Sequence, residues 1–127
     1  MNTKQILAKH IANKRLKVSL NEFIKLIEEA LKDPKMQILR SGDSLFLIYP
    51  NEDTLLVHSI NDSDTEEYIQ SLKSFKTLVK QLGYTYISMN VKNVNAAKKI
   101  VSAAGFRNIA VQDSMQEDDV KIMTAEV

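Results

Sequence analysis

DTEEYIQSLKSFKTLVKQLGYTYISMNVKNVNAAKKIVSAAGF, residues 64–106, decides how the rest of this chain must be arranged. Tyr68, Ile69, Leu72, Phe75, Leu78, Val79 and Leu82 recur at spacings of three and four, which predicts one long amphipathic helix. Asp64 or Ser63 stands where its N-cap belongs, and Gly83 lies just past its end. YTYISMNV, residues 84–91, then reads as a strand. NAAKKIVSAA, residues 95–104, reads as a second helix, stopped by Gly105 and followed by Phe106. A helix, a strand and a second helix running into another strand need a common sheet on which both apolar faces can lie.

Upstream, three short apolar runs are separated by turn residues. They are MQILR (36–40), SLFLIY (44–49) and TLLVHSI (54–60), broken by Ser-Gly-Asp and Pro-Asn-Glu-Asp. Turns this short predict an antiparallel meander. Before it, Ser19 and Glu22 form a capping box for a helix carrying Leu20, Phe23, Ile24, Ile27 and Leu31 on one face; Asp33-Pro34 ends it. RLKV (15–18) reads as a short strand. Residues 3–14 read as a short helix with Ile6, Leu7 and Ile11 on one side. Downstream, FRNIAVQ and DVKIMTAE close the chain as strands. The expectation is an α+β fold with a mixed sheet of six to seven strands, an antiparallel N-terminal meander and three flanking helices. It forms a single domain over residues 15–127, with a basic helical extension at 1–14.

Composition narrows the function classes. The chain has 127 residues, 44% hydrophobic, 26% charged, with a formal net charge of +1. That suits one folded domain and gives no global field for nucleic acid. With no cysteine, disulfide, thiolate and cysteine-zinc chemistry are excluded. No apolar run has membrane-spanning length, and the N-terminus lacks the apolar core of a signal peptide, so the expectation is a soluble, non-secreted protein. Charge alternates in blocks. Residues 41–72 hold seven acids and no Lys or Arg, whereas residues 73–112 hold seven Lys or Arg and no acid. Neighbouring blocks of opposite sign solvate one another, or set orientation in an assembly.

The chemical signals are sparse. His10 reads as an exposed helix residue and His58 as a lone strand histidine; two isolated histidines make no metal site. Asp62, Asp64, Glu66 and Glu67 lack the spacing and glycine of a calcium loop. There is no nucleophile elbow or Ser/His/Asp arrangement, and the basic block lacks interleaved aromatic platforms for single strands.

The element order, the stretch YISMNVKNVNAAKKIVSAAGFRNIAV with Ala97 eight residues before Gly105, and the closing DVKIM with Met123 together resemble the GNAT (Gcn5-related N-acetyltransferase) superfamily over about residues 14–125. The resemblance implies acetyl-coenzyme A, held by its pyrophosphate on a Gly-rich Arg/Gln-x-x-Gly-x-Gly/Ala turn at the start of the long helix. The matching residues here are Ser63-Asp64-Thr65-Glu66-Glu67-Tyr68, with no glycine, no base and three acids. These would compete for the helix N–H groups and repel phosphate. The family's proton-donating tyrosine falls on Val101, and its asparagine falls on Val94, between Asn93 and Asn95. No catalytic or cofactor-binding residue is therefore carried over.

The lost turn also resembles degenerate GNAT-like proteins of tailed phages, including an internal virion protein. That resemblance implies a non-catalytic protein that takes no cofactor and acts through a protein partner, a homo-oligomer or a viral particle. The helix at 3–14 would be its docking arm, with Ile6, Leu7 and Ile11 as anchors and Lys4, Lys14 and Arg15 as its charged surroundings. The alternative is a divergent acyl-coenzyme A-dependent N-acyltransferase. Its thioester would lie in a splay between strands 54–60 and 84–91, held by strand N–H groups, with His58 as base. On the docking-arm reading, deleting residues 1–14 abolishes partner incorporation and leaves the fold intact; a circular dichroism melt of the truncated chain checks the second half of that statement.

Overall fold

A computed structural model describes residues 2–61 and 64–127. The elements are α1 (Thr3–Asn13), α2 (Leu20–Ala30), β1 (Gln37–Ser41), β2 (Ser44–Asn51), β3 (Thr54–Asn61), α3 (Thr65–Gln81), β4 (Tyr86–Val91), α4 (Val94–Ala103), β5 (Arg107–Asp113) and β6 (Lys121–Glu126). They build the expected mixed α+β fold around one six-stranded sheet of order β1-β2-β3-β4-β6-β5. Strands β1, β2 and β3 form the antiparallel meander. β6 lies between β4 and β5, antiparallel to both.

Alternation along the strands sends side chains to two separate layers. On one face, Phe46, Ile48, Leu55, Val57, Ile87 and Met123 pack against Leu72, Phe75 and Val79 of α3 and Val101 of α4. The Phe46 and Phe75 rings stack with centroids 4.1 Å apart. On the other face, Leu45 and Ile60 pack against Ile6 and Leu7 of α1 and Ile27 of α2. This second layer corrects the docking-arm expectation. Ile6 and Leu7 are 0% and 4% exposed, closed inside the chain's own core, and only Lys4, Lys14 and Arg15 of the expected partner set are exposed, with Ile11 half-buried. A short helix is marginal alone, so its apolar side goes to the nearest uncovered sheet face.

Helix α1 also explains why RLKV forms no strand. Leu16 N–H donates to the Ile11 carbonyl and Arg15 N–H to that of Ala12, which closes the helix by a turn that requires a left-handed residue. Arg15 takes that conformation, at φ 52°. Helices α3 and α4 end the same way, with Gly83 (φ 93°) and Gly105 (φ 96°) in the left-handed place. The residues that follow them, Tyr84 and Phe106, donate N–H groups to Val79 and Val101 and turn inward against the core. The strand expected at 84–91 therefore starts two residues later: Tyr84 belongs to the helix stop, and β4 begins at Tyr86.

Three stability outcomes follow. Ile6→Ala should cost about 2–4 kcal/mol in chemical denaturation, and the chain lacking residues 1–14 should melt lower than the full chain, because its second core layer is uncovered. Arg15→Gly should stabilise by about 1 kcal/mol in the same assay, by relieving a left-handed residue that carries a Cβ.

Candidate functional site

Strands β3 and β4 pair in parallel at only three positions, Thr54 with Tyr86, Leu55 with Ile87 and Leu56 with Ser88. The foot of this junction is held by the Asp53 carbonyl, which accepts from Thr85 N–H at 2.9 Å and Tyr86 N–H at 3.2 Å. Beyond Leu56 the strands part. β3 stays paired with β2 up to Asn61, and β4 stays paired with β6 up to Val91, but the two no longer pair with each other. From Val57 onward, the main-chain groups of β3 that point away from β2 therefore face an opening instead of a strand. It widens toward the carboxyl ends of both strands, where open sheets of this kind take their ligands.

A cleft of about 460 Å³ lies in the opening, on the face that carries α1 and α2. This is within the range of small-molecule sites. Its apolar lining includes Met36, Leu47, Leu56 and Ile122, and its polar lining comprises Tyr49, His58, Ser88 and Asn90. The strand register explains the grouping. Leu47 is paired with His58 and Tyr49 with Leu56, so these four share one sheet face, while Ser88 and Asn90 alternate on the matching face of β4. Sequence reasoning singled out His58 and missed Tyr49, Ser88 and Asn90. The signal available was the pairing of Tyr49 with Leu56 across the Pro-Asn-Glu-Asp turn.

His58 lies at the exposed mouth of the cleft, and the protein around it lowers its pKa by removing water from the charged form. His10 is not the exposed residue that its sequence setting suggests. One helical turn beyond Ile6 and Leu7, it lies on the same buried side of α1 and is 6% exposed. Its Nδ1 hydrogen-bonds the Asn61 carbonyl at 3.3 Å and its ring stacks on Phe23 of α2. Burial lowers its pKa first; the Asn61 carbonyl opposes this, and His58 on β3 and Lys14 on its own helix add smaller lowering effects.

In chain order, β3 is followed by α3. At its start the Asp64 carboxylate accepts from Glu67 N–H at 2.9 Å, and Glu66 and Glu67 fill the first turn. Asp62 and Ser63, which were part of the expected turn and of the acid cluster, lie outside the described residues. Among the described residues no group of three or more His, Cys, Asp or Glu could hold a metal ion. Tyr68, on that turn, is clamped to β3 by a 2.5 Å hydrogen bond between its hydroxyl and that of Ser59. Burial pushes its phenol pKa up, with the Ser59 bond partly opposing. Val101, at the family's tyrosine position, is 2% exposed in the main core. Asn93 caps α4, its side-chain oxygen accepting from Ala96 N–H at 3.1 Å. Asn95 is exposed.

No protein-family model and no curated protein matches the chain. Solved structures do. Ribosomal L7/L12 alpha-N-protein acetyltransferase in complex with coenzyme A superposes with a TM-score of 0.67 at 13% identity, covering 98% of this chain and 85% of that one. A GNAT-family protein from Desulfovibrio desulfuricans gives 0.63 at 10% identity, covering 98% and 91%. The aminoglycoside 6'-N-acetyltransferase from Enterococcus faecium gives 0.58 at 10%, covering 98% and 89%. The fold is the GNAT fold. No helix among the described residues is long and apolar enough to cross a membrane.

The two histidines set a pH dependence. Both have folded-state pKa values below the ordinary 6.5, so the unfolded chain takes up their protons first. The stability gained by keeping them neutral is complete above pH 6.5 and is lost as pH falls from there through their lowered values. Midpoints of urea denaturation between pH 7.5 and 5 should therefore fall, and His10→Phe should flatten that fall in part, leaving the share that His58 contributes.

Proposed function

We propose that the chain is a divergent N-acyltransferase whose acyl thioester lies along the free edge of β3 in the β3–β4 opening. The observation that supports this most is the opening itself: pairing stops after three rungs, and a 460 Å³ cleft with a histidine at its mouth occupies the gap. Free N–H groups on β3 are suited to polarise a thioester carbonyl and to stabilise the oxyanion that forms on attack. An acceptor amine attacks that carbonyl; the C–N bond forms, the C–S bond breaks, and the amine proton passes to His58. With its pKa held below 6.5, His58 is neutral at pH 7 and can accept it. The departing thiolate takes a proton from Tyr49, the phenol in the cleft, which stands in for the tyrosine absent at Val101. The neighbours in fold include enzymes that acetylate a ribosomal-protein N-terminus and an aminoglycoside amine, which supports amine acylation as the reaction class.

A second reading is favoured by the start of α3. Asp64 already occupies the N–H group of Glu67, and Glu66 and Glu67 repel a pyrophosphate. On that reading the fold is kept for its surfaces, as in a component of a viral particle, and no cofactor binds.

Calorimetry with acetyl-coenzyme A separates the two. The acyltransferase reading expects a Kd on the order of 10–100 μM, tightened about two- to fivefold in Glu66→Gln/Glu67→Gln by removing like charge from the helix start. No heat with either protein at millimolar ligand overturns it.

A further inference from the structure

The cleft has a property that bears on which amine could enter it. Among the described residues, no carboxylate lines it. Its polar groups, Tyr49, His58, Ser88 and Asn90, are hydrogen-bonding groups that carry no negative charge at neutral pH, and the rest of the lining is aliphatic or methionine. Two groups that can be cationic, His58 and Lys14, each lower the proton affinity of the neighbouring His10. A polyamine or an aminosugar with several ammonium groups would have to leave water for this lining with no anion to receive the extra charges, which is costly. A single amine on an apolar body meets that cost once, for one ammonium group, instead of several times. Its hydrocarbon part is matched by Met36, Leu47, Leu56 and Ile122, and its amine reaches the polar end of the lining at His58.

We infer that the acceptor side of this cleft selects a monoamine carried on an apolar group and excludes polycationic amines. The assignment rests on the acyltransferase reading for the role of the bound amine, but the recognition itself is a property of the cleft and is measurable without any acyl donor.

The test is titration of the isotope-labelled chain, free of donor, with 2-phenylethylamine and separately with spermidine, followed by amide NMR. The expected result is saturable shifts at His58, Ser88 and Asn90 with 2-phenylethylamine, and affinity for spermidine weaker by at least about tenfold. Leu56 is 40% exposed at the cleft wall, so Leu56→Glu places a carboxylate there without opening the core. In that variant, shown folded by its unchanged circular dichroism, spermidine should gain affinity and 2-phenylethylamine should lose it. Spermidine binding the unmodified chain as tightly as the monoamine overturns the inference. So does absence of monoamine binding, or an unaltered preference in Leu56→Glu. If the monoamine binds in the cleft while acetyl-coenzyme A gives no heat, the acyltransferase reading falls and the selectivity of the cleft stands.

Discussion

Three rungs of parallel pairing between β3 and β4 organise this molecule. At Thr54–Leu56 and Tyr86–Ser88 the meander and the C-terminal half of the sheet become one sheet, and the Asp53 carbonyl fixes the foot of that join. Had the pairing continued to the ends of both strands, the sheet would be closed and the chain would have no cleft. Had it failed altogether, the two halves would share only the α3 layer. The partial join gives a continuous core on the α3 side, where Phe46 stacks on Phe75, and an opening on the α1 side. Scaffold and site are thus two ends of the same pair of strands.

The cleft and the helix that follows β3 differ sharply in chemistry. The cleft is apolar with an imidazole at its mouth, whereas α3 starts on Asp64, Glu66 and Glu67. An N-terminal helix dipole favours anions, and this chain satisfies that preference with its own carboxylates. The acids stabilise α3 and make the same helix end a poorer place for a pyrophosphate. On the acyltransferase proposal, the start of α3 is therefore the part furthest from the family pattern. Helix α1 belongs to this balance as well, because its buried face carries Ile6 and Leu7 into the second core and brings His10 close enough to His58 for their charges to interact.

Much of the fold was legible in the sequence. The helices at 20–30, 65–81 and 94–103 announced themselves by apolar spacing and capping residues, and the meander by its short turns. The expected splay between the third and fourth strands is where the structure opens. What the residues did not reveal depends on contacts distant in sequence. An amphipathic helix at 3–13 does not state what it will lie on, so Ile6 and Leu7 suit a partner chain as well as the uncovered face of β2 and β3 that they cover. RLKV looked extended because it alternates; the left-handed Arg15 that closes α1 has no glycine to signal it. The insertion of β6 between β4 and β5 left no local mark. Tyr49, Ser88 and Asn90 became a site only when pairing stopped, and no single stretch records where pairing stops.

On the acyltransferase proposal, a thioester lies along the unpaired edge beyond Leu56. Amide NMR on the labelled chain during addition of acetyl-coenzyme A tests it most directly, because it reports position as well as binding. Perturbations are expected to concentrate at Val57–Ile60 of β3 and Met89–Val91 of β4, with the edge strands β1 and β5 unmoved. Perturbations spread over those edges, or none anywhere at millimolar ligand, would contradict it.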